Sequence, residues 1–142
     1  MPVLHVEIVT PESSLWSGDA TALIARSSDG NFTILPEHTA VIGDLVPGVI
    51  RVETTEGELS FVEHGGYFQV ETDHEADATT ATVLVGTAER TTDIDVARAE
   101  AAKANAEAAL AATNREGDLD DAVLQSARDA LARAELRLGA AK

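Results

Sequence analysis

Apolar and polar positions alternate along the first part of the chain with a period of two. Leu4, Val6 and Ile8 fall on one side of an extended segment, and the alternation returns at Ile50 and Val52 and at Phe68 and Val70. This spacing predicts β-strands with one buried face, up to about residue 88. Turn-forming residues punctuate them at short intervals: Ser17-Gly18-Asp19, Ser28-Asp29-Gly30-Asn31, Val46-Pro47-Gly48, Glu56-Gly57-Glu58 and Gly65-Gly66. Many short strands with frequent turns predict a sandwich or flattened barrel rather than a parallel sheet. Aromatic residues are scarce, so the core must be built mainly from Val, Ile and Leu.

After Glu89 the period changes. Alanine dominates, and apolar positions at Ile94, Ala97, Ala101, Ala104, Ala108 and Ala111 are spaced by three and four, which predicts a helix with a narrow stripe of small residues. Asn114-Arg115-Glu116-Gly117-Asp118 reads as a break. A second helix follows, with Leu124, Ala127, Leu131, Ala134 and Leu138 on one side. Two such helices joined by a short loop form an antiparallel hairpin. The expected fold class is α+β, with a β-sandwich over residues 1–88 and a helical hairpin over 89–142. Alanine favours helix locally, but each buried methyl contributes only roughly 0.8 kcal/mol. The hairpin is therefore expected to be weakly closed and weakly attached.

Composition narrows the function. A chain of 142 residues makes one domain, or one with a small appendage. Without cysteine it has no disulfide framework, thiolate metal site or cysteine nucleophile, which favours a reducing compartment. The start, MPVLHVEIVTPESSL, lacks a basic then apolar leader, and no segment approaches the roughly 18 apolar residues of a membrane span. A soluble chain is expected, with any membrane link indirect. The net charge of −15 argues against nucleic acid or anionic lipid as partner of the whole chain. The charge is uneven: residues 1–93 hold three basic and sixteen acidic side chains, whereas residues 94–142 hold seven and nine. The basic residues of the last third read either as ordinary salt-bridged helix surface or as a surface for an acidic partner.

No catalytic constellation emerges. His5, His38, His64 and His74 lie in or beside strands without the i, i+4 pairing of a helical metal site, and read as surface or loop residues. Asp73-His74-Glu75-Ala76-Asp77 begins like a calcium loop, but Ala78 and Leu84 stand where its glycine and glutamate belong, so it reads as a solvated turn. The glycines form no phosphate cradle. The start of the first helix has two readings. In one, Thr92 or Asp93 caps the helix and Asp95, in its first turn, closes a capping-box-like pair with Thr92. In the other, Asp95 and Arg98 share a face and, with Arg133 and Arg137 of the second helix, surround an anionic ligand such as a nucleotide.

Five segments in order carry a resemblance: VEIVTPE (6–12), DGNFTILPEHTAVIGDLVPGVIRV (29–52), GGYFQV (65–70), VLVGTAER (83–90) and DIDVARAEAAK (93–103). Together they resemble the epsilon subunit of the bacterial F-type ATP synthase over essentially the whole chain. The resemblance implies a ten-stranded β-sandwich followed by two helices, in a rotor subunit without an active site. Its sandwich would grip the gamma subunit and the c-subunit ring, through the Gly30 to Pro36 edge, Asn31 included, and the neighbouring segment from His38 to Leu45. Its hairpin would either fold on the sandwich or extend into the catalytic head and block ATP hydrolysis, with Arg115, Arg128, Arg133 and Arg137 meeting acidic surface of the beta subunits beside alpha. The location implied is peripheral, on the cytoplasmic face of the bacterial membrane, through the complex alone. Some members bind ATP as a regulatory ligand through an I/L-D-x-x-R-A motif, complete here as Ile94 to Ala99. Glu89 and the pair Arg133 and Arg137 match further contacts of those members, while Asn105 stands where they carry an arginine. The alternative from a different class is a free-standing module that senses nucleotide without a rotary partner.

Overall fold

The computed structural model describes the backbone of residues 2–116 and 121–141 and the side chains of residues 2–112 and 122–141. The chain separates into two compact units, Met1–Arg90 and Thr91–Lys142. The first holds β1 (Val3–Val9), β2 (Ser14–Ala20), β3 (Ala22–Ser27), β4 (Gly30–Ile34), β5 (Val41–Leu45), β6 (Gly48–Thr54), β7 (Gly57–Glu63), β8 (Gly66–Asp73), β9 (Ala78–Val85) and β10 (Ala88–Arg90). These strands form two five-stranded sheets, ordered β2-β1-β9-β8-β5 and β10-β7-β6-β3-β4. The expected architecture, a sandwich followed by two helices, is the one observed.

Burial follows the alternation. Leu4, Val6 and Ile8 of β1 are fully buried, as are Ile50 and Val52 of β6. They join a core made mainly of Val, Ile and Leu, with Phe61 and Phe68 as its aromatic members. Each large side chain removed from water in this way contributes about 1.5–3 kcal/mol. The Phe68 ring stacks on Phe32 with centroids 4.4 Å apart. It also occupies the space over Gly43, where a β-carbon would lie 2.5 Å from the ring.

Two features of the sandwich depart from the period-two reading. Ser17-Gly18-Asp19 is not a turn: it lies inside β2, opposite Glu7, Val6 and His5 of β1. Glycine is needed there for packing, because the Trp16 indole lies across it and a β-carbon at position 18 would come within 2.9 Å of the ring. The bend falls instead at residues 10–13, where Thr10 and Ser13 exchange backbone hydrogen bonds. The second departure is parallel pairing of β1 with β9, from Val3 opposite Ala78 to Val9 opposite Leu84. The other ladders among the described residues are antiparallel. The segment with calcium-loop character is the turn from β8 to β9, in which Asp73 Oδ1 accepts from the backbone N–H groups of Glu75 and Ala76.

The second unit begins with a 3-10 turn at Thr91–Asp93 and continues as α1 (Val96–Glu116) and α2 (Asp121–Ala140). On α2 the predicted stripe is the covered one: Ala127 and Ala134 are buried, and Leu124, Leu131 and Leu138 are half-buried. On α1 it is not. Ala97, Ala101, Ala104, Ala108 and Ala111 are exposed, whereas Ala99 and Ala106 are buried, with Ala102, Lys103 and Leu110 half-buried between and beside them. In a helix with alanine on nearly every side, several stripes satisfy the three-four spacing equally. The choice falls to the side that carries Leu110, the one large aliphatic residue of α1 beyond its first position. Helix α1 also runs on through Asn114, Arg115 and Glu116, which composition had suggested as a break. Gly117 and Asp118 lie outside the described residues.

Candidate functional site

The start of α1 is built around Asp95. Its Oδ1 accepts from the backbone N–H of Arg98 at 3.0 Å, and its carbonyl accepts from the N–H of Ala99 at 3.0 Å. Asp95 is therefore the N-cap, not a first-turn residue, and neither Thr92 nor Asp93 caps the helix. The displacement has a local cause: Thr91–Asp93 is taken up by the 3-10 turn, and Asp95 is the residue immediately ahead of Val96, the first of α1. Ile94 is half-buried, Ala99 is buried, and the Arg98 side chain is exposed.

The two helices share a groove of about 510 Å³ in which Ala102 and Ala106 of α1 line the same space as Ala127 and Ala130 of α2. Ala109 and Ala122 line it as well, so the helices run antiparallel. The start of α1 thus lies at the same end of the hairpin as the end of α2. Asp95, Arg98 and Ala99 are at the level of exposed Arg133 and half-buried Arg137. Glu89 belongs to the first unit, half-buried on β10 opposite Val62. Asn105 opens onto the interhelical groove.

Among the remaining candidates, Asn31 is exposed on β4, the edge strand of the second sheet. His38 is half-buried in the turn before β5, with its Nδ1 2.7 Å from the Thr39 carbonyl. Arg128 is exposed on α2, and the Arg115 side chain lies outside the described residues. Register on the outer face of the first sheet places Val9, Leu84 and Tyr67 side by side across β1, β9 and β8. Leu84 is 48% exposed, Tyr67 64% and Ile42 of β5 73%. Sequence reasoning missed this row: its members occupy solvent-facing positions of the alternation, but only the strand pairing sets them side by side.

It also missed a polar array. His5 Nδ1 lies 3.2 Å from Asp19 Oδ1 and its Nε2 lies 3.1 Å from Ser17 Oγ, with Glu7 at 3.7 Å. The connectivity is that of a serine, histidine and carboxylate relay, but the array stands on an open strand face where the Asp19 side chain is 76% exposed. Water therefore competes for every partner of the array. Among the described residues no group of His, Cys, Asp and Glu could hold a metal ion.

One buried acid stands out. Glu63, the last residue of β7, is 1% exposed, and its carboxyl is pushed up from 4.5 to about 7. Burial is the cause, outweighing hydrogen bonds from the backbone N–H groups of Gly65 and Gly48 that favour the ionised form.

Residues 3–91 match the family model described as ATP synthase, Delta/Epsilon chain, beta-sandwich domain. The chain is 39% identical over 127 residues to the ATP synthase epsilon chain of Polaromonas naphthalenivorans, covering 89% of this chain and 86% of that one. It is 41% identical over 124 residues to that of Nitrosococcus oceani, covering 87% and 83%. With the epsilon chain of Pediococcus pentosaceus it shares 36% over 141 residues, covering 99% and 96%. Its fold resembles a chain of the Euglena gracilis mitochondrial ATP synthase OSCP/F1/c-ring assembly, with a TM-score of 0.79 at 20% identity over 99% of this chain and 82% of that one.

Proposed function

The chain belongs to the delta/epsilon chain family of ATP synthases, and from that premise we propose that it is a non-catalytic subunit of the central stalk of a proton-translocating ATP synthase. In this role the sandwich docks on the gamma subunit and the c-subunit ring, with Asn31 and His38 on the docking side. The helical hairpin is a regulatory arm that presents Arg115 and Arg128 to the catalytic beta subunits, beside alpha. Association with the cytoplasmic face of the bacterial membrane runs through the complex. ATP acts as a regulatory ligand, contacting Glu89, Ile94, Asp95, Arg98, Ala99, Arg133 and Arg137, and is not required for folding or docking.

Beyond family membership, the observation that carries this reading is the row of Val9, Leu84 and Tyr67 with Ile42 nearby. Apolar side chains laid side by side on a unit so rich in carboxylates mark a surface to be covered. The test is binding of Tyr67→Glu/Leu84→Glu to an ATP synthase stripped of its epsilon chain. Loss of binding by a variant that keeps the parent's strand signal supports docking through this face, and undiminished binding overturns it.

A further inference from the structure

The sandwich changes sheets three times at the end where Glu63 sits, from β5 to β6, from β7 to β8 and from β9 to β10. The chain leaves β5 of the first sheet for β6 of the second through Val46-Pro47, and returns from β7 to β8 through His64-Gly65. Glu63 reaches the first two of these crossings. Its Oε2 accepts from the N–H of Gly65 at 2.6 Å, and its carboxyl also accepts from the N–H of Gly48, its ladder partner on β6. Gly65 has a φ of 106°, a conformation that glycine alone adopts freely, so the return crossing is shaped to present its N–H inward.

The charged and titratable side chains on the surrounding segments are Arg26 of β3, Asp44 of β5, Arg51 and Glu53 of β6, Glu56 and Glu58 about the β6–β7 turn, His64 next in the chain, Tyr67, Glu71 and Asp73 of β8, and Glu89 and Arg90 of β10; β9 carries none. The ladder partners of Glu63 are uncharged Gly48 and Ala88. Burial and the two backbone donors account for the proton affinity of Glu63, with no side-chain charge among the causes.

We propose that Glu63 is a proton-operated latch on the crossings from β5 to β6 and from β7 to β8: neutral, it stays inside and ties Gly48 to Gly65, and ionised, it favours opening of these crossings so that water reaches the carboxylate. The physical reason is that a buried carboxylate without a cation loses hydration that two N–H groups only partly replace. With the carboxyl titrating at about 7, the latch works near neutral pH. The latch belongs to the isolated chain, whether or not that chain is a rotor subunit.

The test uses NMR of the full chain, following the Glu63 carboxyl carbon and the exchange protection of the Gly48 and Gly65 amides against pH. The carboxyl should titrate near neutrality. Protection at both glycines, corrected for intrinsic exchange, should fall on the order of tenfold between about pH 5.5 and about pH 7.5, and Glu63→Gln should abolish that slope. Both amides should exchange ahead of Val6 and Val83 in the core, the mark of local opening rather than unfolding. A carboxyl titrating in the ordinary carboxylate range overturns the latch. So does a slope retained in Glu63→Gln, or glycine exchange no faster than that of the core. If Glu63→Gln does not fold, the wild-type titration and protection profiles decide alone.

Discussion

The backbone N–H of Arg98 donates to Asp95 Oδ1 at 3.0 Å, so the aspartate of the Ile94 to Ala99 motif closes the helix that it precedes. Asp95→Ala should cost about 1 kcal/mol and fray the first turn of α1, whereas Asp95→Asn, which keeps an acceptor oxygen, should cost much less. Thermal denaturation and exchange of the Arg98 amide measure both.

The same geometry leaves the Arg98 guanidinium exposed, at the hairpin end that carries Arg133 and Arg137. If ATP is held there, Arg98→Ala removes a charged contact worth roughly 1.5–3 kcal/mol and weakens binding more than tenfold, without disturbing the cap. Calorimetric titration reads the affinity and circular dichroism the helix content. Absence of saturable binding by the unaltered chain would leave the motif as a helix start and nothing more.

Ala106 is 5% exposed while Ala104, two residues earlier, faces water. Ala106→Glu should therefore destabilise the hairpin by more than about 2 kcal/mol, because the carboxylate is forced into the helix seam. Ala104→Glu should change stability by less than about 0.5 kcal/mol. Equal effects in helical melting curves would mean that α1 buries a different stripe.

Glu63 predicts a pH dependence of overall stability. Its folded value of about 7 lies above the unfolded 4.5, so the folded chain holds this proton more tightly. The associated stability is fully present below the unfolded value and is lost as pH rises to about 7, by at most about 3 kcal/mol. Urea titrations across this range should show the decline, and Glu63→Gln should flatten it and be more stable than the parent under mildly alkaline conditions.

Strands β1, β6 and β8 were legible because their buried residues alternate with uncovered ones, and a period of two with one buried face leaves a single consistent register. The same logic marks Glu63 as unusual, since it shares a strand face with Phe61 two residues earlier, but no pattern of residue types says which backbone groups will receive it. Ser17-Gly18-Asp19 has the composition of a turn and fills a strand, because Trp16 needs the space over Gly18. The cap at Asp95 depends on the 3-10 turn at Thr91–Asp93, which has no periodic signal of its own. The apolar row of Val9, Leu84 and Tyr67 becomes a row only through the parallel pairing of β1 with β9, a contact between segments far apart in the chain.

That parallel pairing also bears on how the chain is made. Strand β1 is not an edge: Val3–Val9 lies between Ser14–Ala20 and Ala78–Val85. As the chain emerges from the ribosome, this segment has only its hairpin neighbour for company until eight strands have been synthesised, and its other rim of backbone donors and acceptors waits for the ninth. The closing of a loop of this length belongs late in folding. Until then the nascent chain carries an open rim of unpaired backbone donors and acceptors, the kind of surface that chaperones hold and that neighbouring chains can capture.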